Sequence, residues 1–241
     1  MSDTALATSA TPTAVTAAAL RRALIAGARR VIAARDELNR INVFPVPDGD
    51  TGSNLASTLG SVLHGALSRR SRHAGELLLR VGNDAIDGAR GNSGAIMAQF
   101  LMGLGEEARA LSQLDAGELA AAVRRGADSA RAALAQPVEG TILSVIAAFA
   151  EALEEQARRV GAQPWQAFAA ALPRARVALA DTPRQMPLLR KAGVVDAGAR
   201  GFVDWLEGIA AYAEGGPRAL DLRGATASCP ATSTAITRRW S

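Results

Sequence analysis

Eight stretches of helix-forming sequence follow one another along the chain, separated by breaks that are mostly short. In the first stretch Leu20, Leu24, Val31 and Ile32 recur at spacings that place them on one helix face. Similar patterns predict helices over residues 14–39, 53–68, 74–87, 92–110, 117–135, 140–159, 164–180 and 198–214. Because short connections make neighbouring helices antiparallel, these stretches predict an all-α, up-and-down bundle. Only Val194–Val195 suggests a strand.

The composition agrees with closely packed helices. Apolar residues make up 49% of the 241 residues and aromatic residues only 4%, so the core must be built from small and aliphatic side chains. A β-sandwich would favour Val, Ile, Tyr and Thr. The formal net charge is +4, and no basic run is interleaved with aromatic residues, which argues against a nucleic-acid partner.

The two ends of the chain lack the periodicity of its middle. We expect a flexible N-terminus at residues 1–13, a helical domain at 14–214 and an irregular, disordered tail at 215–241. The N-terminus lacks the basic start and long apolar core of a signal peptide, and the apolar stretch at 142–153 is too short to span a membrane. Cys229 is the only cysteine, as expected for a protein of the reducing cytoplasm.

The most distinctive break is the segment NVFPVPDGDTGSN at residues 42–54, whose prolines and glycines exclude a helix interior. Asp48 and Asp50 flank Gly49, so a sharp turn can aim both carboxylates at one cation. Mg²⁺ is the natural occupant, because it takes oxygen ligands and keeps waters or phosphates as the rest. Ser53 and Asn54 follow at an expected helix start, where free N–H groups favour an anion. A plain capped turn explains the same residues, but the stiff, apolar FPVP approach favours a functional loop.

Three further breaks are candidates for nucleotide binding. In DGARGNSG at 87–94, glycines permit close backbone approach, and Ser93 could hold a phosphate at a helix start, although a capped interhelix turn has the same pattern. In PVEGTIL at 137–143, helix capping by Thr141 alone is the favoured explanation. In KAGVVDAGARGF at 191–202, Asp196 either belongs to a lid over a nucleotide or only marks a helix boundary. Walker and protein-kinase motifs are absent from the sequence.

Taken together and in this order, NVFPVPDGDTGSNL, GARGNSGAIMAQFLMG, PVEGTILSV and LLRKAGVVDAGARGF resemble the signatures of a known family. The family is the L-type domain of dihydroxyacetone kinases, also called DhaL or Dak2, in its fatty-acid-kinase branch. The resemblance covers roughly residues 14–214. It implies an eight-helix antiparallel barrel that binds ATP or ADP at one end, with loop aspartates holding two Mg²⁺ ions that bridge the phosphates.

The resemblance also implies which residues form the site. Asp48 and Asp50 match the metal-holding aspartates, and we expect them to be catalytic. Family members of the dihydroxyacetone type have a third aspartate slightly upstream. This chain has Val43 there, with Asn42 beside it, so the amide oxygen of Asn42 is a candidate metal ligand. The candidate nucleotide-binding residues are Thr51, Gly52, Ser53, Asn54, Asn92, Ser93, Gly94, Thr141 and Asp196.

The same resemblance implies that a partner protein presents the acceptor, either a fatty-acid-binding protein or a dihydroxyacetone-binding subunit. We therefore expect a kinase that transfers the γ-phosphoryl group of ATP to a fatty acid carboxylate. The alternatives are transfer to dihydroxyacetone, a non-catalytic nucleotide-binding module that regulates a partner, and a plain helical scaffold. Full-length fatty acid kinases carry further domains, so we expect a stand-alone module, a truncated product or one member of a split pair. A homodimer stays open.

Overall fold

Ten α-helices form most of residues 13–215, the part of the chain that the computed structural model describes. They are α1 (Ala17–Ala33), α2 (Arg35–Arg40), α3 (Thr51–His64), α4 (Ala74–Asp87), α5 (Gly91–Ala108), α6 (Ala116–Ala132), α7 (Ile142–Ala157), α8 (Pro164–Gln185), α9 (Pro187–Ala192) and α10 (Ala197–Gly215). A 3₁₀ turn covers Ala66–Ser68, and two short strands are β1 (Val15–Thr16) and β2 (Gln113–Leu114). The predicted N-terminal segment and tail lie outside the described residues, apart from Thr13 and Gly215.

The long helices match the predicted stretches, and the all-α prediction is confirmed. Only α2 and α9 are short, with six residues each. The first predicted helix is divided at Ala34 between α1 and α2. Val194–Val195 is not a strand, because nearby backbone N–H groups bond to other partners. Val194 N–H donates to the Leu189 carbonyl, and Asp196 N–H donates to the Thr182 hydroxyl. Within residues 13–215 no helix combines the length and apolar character needed to cross a membrane.

Helix boundaries follow local capping chemistry. Asp115 begins α6 with a capping box, in which Asp115 and Glu118 each accept the other's backbone N–H at 2.8 Å. Pro164 and Pro187 begin α8 and α9, where the missing N–H of proline has no helical partner to lose. α9 ends at Ala192 and is followed by Gly193, which has the left-handed conformation common after a helix.

The long helices pack side by side in a closed ring. Packing runs from α4 through α5, α6, α7 and α8 to α10, and α10 packs on α1. α3 contacts α1, α4 and α5, which completes the ring. β1 pairs antiparallel with β2, with Val15 opposite Leu114, so the start of α1 is tied to the connection between α5 and α6. This arrangement is the predicted antiparallel barrel.

An aromatic cluster lies inside an otherwise aliphatic and alanine-rich core. Phe100 packs edge-to-face on Phe202, with ring centroids 5.2 Å apart, and on Trp205 at 5.9 Å. Phe149 and Phe168 form a similar pair at 5.1 Å. Edge-to-face contacts stabilise such pairs beyond the burial of their area. The cluster joins α5, α7, α8 and α10. The starts of α5, α7 and α10 carry the predicted nucleotide-binding residues.

Candidate functional site

The first loop, residues 42–50, presents two exposed carboxylates just before α3. Asp48 and Asp50 are exposed, and Gly49 between them has a φ of +66°. This left-handed conformation turns the chain sharply and costs glycine little. Asp50 precedes the first turn of α3, but its carboxylate makes no capping hydrogen bond. The loop therefore offers negative charge that the adjacent helix start does not use.

Asn42 braces this loop from the inside. Its side-chain Nδ2 donates to the Val46 carbonyl at 2.8 Å and to Asp48 Oδ1 at 3.0 Å. Its Oδ1 accepts a hydrogen bond from the Thr51 hydroxyl. Asn42 is buried, with 5% of its surface exposed. It thus connects the FPVP segment, the acidic turn and the first residue of α3, and its role as a metal ligand stays a prediction.

A second asparagine, Asn39, caps the first turn of α3. Its Oδ1 accepts from Ser53 N–H at 3.0 Å, and its Nδ2 donates to Ser53 Oγ at 3.0 Å. Asn54 N–H donates to the Asp50 carbonyl at 2.8 Å. α3 begins at Thr51 rather than at residue 53, so the N–H groups of Ser53 and Asn54 are already engaged. Asn39 lies on α2, outside the loop motif, and for that reason the sequence did not single it out.

Gly52 is required by the packing of α3 on α2. A Cβ at this position would lie 2.1 Å from the carbonyl oxygen of Arg35. Non-bonded carbon and oxygen atoms do not approach each other so closely, so any other residue would push the two helices apart. The glycine of this motif therefore has a structural reason, and its predicted contact with a nucleotide stays a prediction.

The second loop, residues 88–90, packs directly against α3. Gly91 begins α5 with a φ of +57°, and a Cβ there would lie 2.3 Å from Asn54 Nδ2. A Cβ at Gly94 would lie 2.5 Å from the hydroxyl oxygen of Thr58. Thr58 donates to the Asn54 carbonyl at 2.9 Å and accepts from Arg90 N–H at 3.4 Å. Two motifs that are distant in sequence thus lie in contact. The buried Thr58 joins them, although it belongs to no motif.

The second motif also lies next to the fourth. Asn92 is exposed at the start of α5, and Ser93 is half-buried. A Cβ at Gly198, in the first turn of α10, would lie 3.0 Å from Ser93 Oγ. The starts of α5 and α10 therefore approach each other closely around Ser93.

Asp196 joins the starts of α7 and α10. Its Oδ2 accepts from Ile142 N–H at 3.1 Å and from Ala199 N–H at 2.8 Å. Burial raises the pKa of the Asp196 carboxyl to about 6, although these two backbone donors act in the opposite direction. The contacts are those of a buried helix cap, and a direct contact of Asp196 with a nucleotide stays a prediction.

Thr141 caps α7, as the sequence indicates. Its hydroxyl oxygen accepts from Leu143 N–H at 3.4 Å, and the hydroxyl donates to the Val138 carbonyl at 2.7 Å. Thr141 is buried beside Ile142, which donates to Asp196. The third and fourth motifs are therefore joined by neighbouring backbone groups.

All four motifs meet at one cavity of about 230 Å³. Its polar lining comes from Asn92, Ser93, Thr141, Asp196 and Gln136, and its apolar lining from Phe44, Pro45, Ile96, Leu134, Val138 and Ile142. Apolar walls with a few convergent polar groups are typical of small-molecule sites. Phe44 and Pro45 belong to the first loop, so the acidic turn adjoins the cavity along the chain. The other predicted site residues do not line it: Asn42, Asp48, Asp50, Thr51, Gly52, Ser53, Asn54 and Gly94.

The acidic turn has the donor set of a site that shares Mg²⁺ with a ligand. Within residues 13–215 no three His, Cys, Asp or Glu side chains are grouped closely enough to hold a metal ion by themselves. Mg²⁺ is usually bound through one or two carboxylates, with waters and substrate phosphates as the other ligands. Asp48 and Asp50 fit that pattern if phosphate oxygens complete the coordination.

A sequence profile described as the DAK2 domain matches residues 45–211, which include the first motif from Pro45 onward and the whole of the other three. The chain belongs to the DAK2 domain family. The resemblance to the DhaL or Dak2 family identified from the motifs is thereby confirmed, and its fatty-acid-kinase branch stays a prediction.

Two DAK2 relatives illustrate the match. An uncharacterized protein of Staphylococcus saprophyticus is 35% identical over 179 residues, which cover 74% of this chain and 32% of the relative. Protein YloV of Bacillus subtilis is 34% identical over 195 residues, which cover 80% of this chain and 34% of YloV. This DAK2 chain thus spans about a third of the length of the curated relatives it matches.

Solved structures share the DAK2 fold. The dihydroxyacetone kinase of C. freundii in its native form superimposes with a TM-score of 0.59 at 17% identity, covering 87% of this chain and 38% of that chain. The same kinase in complex with AMP-PNP and Mg²⁺ gives 0.54 at 18% identity, covering 87% and 37%. At this identity the likeness shows the fold alone.

Proposed function

We propose that this DAK2 domain binds ATP with Mg²⁺ and transfers the γ-phosphoryl group to an acceptor that a partner protein presents. The observation that carries the proposal is the cavity where four separate motifs meet, since the loop that forms one wall also carries two exposed carboxylates. A plain helical scaffold has no need for this convergence.

We assign a different role to each group of residues in the site. Asp48 and Asp50 would hold the metal, and the resemblance implies two ions shared between them. The start of α5, with Asn92 and Ser93, would receive the phosphates together with the first two residues of α3, Thr51 and Gly52, because helix starts favour anions. When bound, Mg²⁺ supplies positive charge that neutralises the oxygens of the transferred group. Thr141 and Asp196 would shape the cavity for the rest of the nucleotide.

The favoured acceptor is a fatty acid carboxylate. One carboxylate oxygen forms a bond to the γ-phosphorus, the bond between that phosphorus and the oxygen of ADP breaks, and the products are an acyl phosphate and ADP. A carboxylate loses no proton in this step, whereas a hydroxyl must give one to a base. The FPVP and VVDAGARG segments, which resemble the fatty-acid branch, support this acceptor. Transfer to dihydroxyacetone is the alternative, and the C. freundii kinase is similar in fold only.

A non-catalytic nucleotide-binding module is the second candidate, and the first loop favours it in one respect. The loop contributes two carboxylates, while the Asn42 oxygen accepts from Thr51. Two carboxylates are enough to hold Mg²⁺ with a bound nucleotide, and binding alone is all that a regulatory module needs. Such a module would report the ATP or ADP load to a partner without consuming ATP.

A product assay separates these functions. The purified chain is incubated with Mg²⁺ and ATP, and with a fatty-acid-binding protein or a dihydroxyacetone-binding subunit, while ADP and acyl phosphate are measured. We expect acyl phosphate only with the fatty-acid-binding protein, and none for Asp50→Ala. The matched control Asp36→Ala, at an exposed position on α2, should keep full activity. Phosphorylated dihydroxyacetone would identify the alternative acceptor, and tight binding without ADP formation would identify the regulatory module. Failure of ATP to bind in the presence of Mg²⁺ would overturn all three.

A further inference from the structure

Asn42 is a buried amide in contact with Asp48, and its role depends on which of its two polar atoms faces the acidic turn. The Val46 carbonyl can only accept a hydrogen bond, so the amide nitrogen of Asn42 must face it, at 2.8 Å. Asp48 Oδ1 lies 3.0 Å from that same nitrogen. The orientation of the amide is therefore determined by its partners rather than by an arbitrary choice between oxygen and nitrogen.

The oxygen of Asn42 is engaged on the other side. Oδ1 accepts from the Thr51 hydroxyl, and both residues are buried. Both hydrogens of the amide nitrogen are also used, one by Val46 and one by Asp48. A metal ligand must present an oxygen, but the atom that Asn42 presents to Asp48 is a donor nitrogen.

We propose that Asn42 is a positioning residue, which holds the carboxylate of Asp48 in its metal-binding orientation and does not itself bind the metal. This inference rests on the proposed Mg²⁺ site. One oxygen of Asp48 is held by the amide N–H, which leaves the second oxygen for the cation, as outer hydrogen-bond partners commonly do for metal ligands. A carboxylate in place of Asn42 would face Asp48 with a second acceptor at about 3.0 Å. A neutral donor at this position therefore suits the contact with Asp48 better than an acid does.

The substitution Asn42→Asp distinguishes a positioning role from a ligand role, because the two roles predict opposite changes. Binding of AMP-PNP is measured by titration calorimetry with Mg²⁺ and with EDTA. If Asn42 positions Asp48, the Mg²⁺-dependent affinity should fall by about 10- to 100-fold. If Asn42 is a ligand, the added carboxylate should leave that affinity equal or higher, which would overturn the proposal. Asn83→Asp adds the same charge on the exposed face of α4 and should change nothing.

A second variant keeps the test decisive if Asn42→Asp does not fold, which its melting curve without ligand would show. Thr51→Val keeps the shape of the side chain but removes the hydroxyl that orients Asn42. A positioning role predicts that Mg²⁺-dependent binding weakens by about threefold or more while binding in EDTA is unchanged. Loss of a direct contact between Thr51 and the nucleotide would weaken binding in both conditions. A ligand role predicts unchanged or tighter binding, because the amide oxygen is set free. Wild-type protein that binds AMP-PNP equally with Mg²⁺ and with EDTA would instead refute the proposed metal site itself.

Discussion

The first loop and the start of α10 both carry aspartates in glycine-rich segments, but they use them in opposite ways. Asp48 and Asp50 are exposed, and Asp50 makes no capping hydrogen bond. Asp196 is 5% exposed, and its Oδ2 accepts from the N–H groups of Ile142 and Ala199. An exposed carboxylate keeps its charge available for a cation, whereas a buried one is occupied with joining two helix starts. The same residue types therefore leave carboxylates exposed in one region and form a structural cap in the other.

The largest expected contrast separates binding from folding. Asp50→Asn should abolish Mg²⁺-dependent ATP binding but change the free energy of unfolding by less than about 0.5 kcal/mol. Asp196→Ala should lower the free energy of unfolding by about 2–5 kcal/mol, because two buried N–H groups lose their acceptor. Urea unfolding and titration calorimetry measure the two effects, with Asp36→Asn as the exposed control. Equal losses of stability for Asp50→Asn and Asp196→Ala would contradict the conclusion that only Asp196 has a structural role.

A second prediction concerns pH. Burial raises the pKa of Asp196 to about 6, so the folded chain binds this proton more tightly than the unfolded chain. The contribution of protonated Asp196 to the free energy of unfolding is therefore complete below about pH 4, and it is lost as the pH rises through about 6. From pH 4 to 7.5, wild type should lose about 2–3 kcal/mol of unfolding free energy relative to Asp196→Asn. Comparing the two proteins cancels the other titrating groups, and parallel stability curves would contradict the raised pKa.

A third prediction tests the contact between the two loops. Gly91→Ala and Gly161→Ala each place an alanine at positive φ, but only the first brings a Cβ within 2.3 Å of Asn54. Gly161→Ala should cost about 1–2 kcal/mol, from the backbone conformation alone. Gly91→Ala should cost about 1–2 kcal/mol more, because Asn54 must move. Chemical denaturation measures both, and equal costs would show that Asn54 moves away without strain.

The smallest expected effect concerns the hydrogen bonds of Asn39 to Ser53 at the start of α3. Asn39→Ala removes the side chain that accepts from Ser53 N–H, and should lower the free energy of unfolding by about 1 kcal/mol. Asn83→Ala, at an exposed position of α4, is the matched control and should change stability by less than about 0.5 kcal/mol. No difference between the two variants would mean that water replaces Asn39 as the cap.

Much of the fold could be predicted because its signals are local. Helix periodicity, the capping box at Asp115 and the prolines at 164 and 187 act within a few residues of chain. The strand prediction was wrong in two ways. The short strands β1 and β2 were not predicted, because Val15 and Leu114 pair across about a hundred residues of chain. The sequence suggested a strand at Val194–Val195, but Thr182 and Leu189 take up the nearby backbone N–H groups. The division of the first helix at Ala34 likewise had no signal in its periodicity.

The candidate site could be predicted as residue types but not as contacts. Asn39 and Thr58 brace the first two motifs, yet each lies on a helix outside them. Neither residue has a recognisable pattern, because a hydroxyl or amide on a helix is ordinary by itself. Their roles follow only from the approach of α2, α3 and the second loop.

The sequence by itself determined the eight long helices, the four motifs and the DAK2 family, because periodicity, capping and motif spacing are written along the chain. Only the tertiary structure decided which acids face outward and which are buried. That depends on contacts between distant residues, such as Asp196 with Ile142, 54 positions apart. It also decided that the Asn42 amide turns its nitrogen to Asp48, since hydrogen-bond direction depends on partners assembled in space.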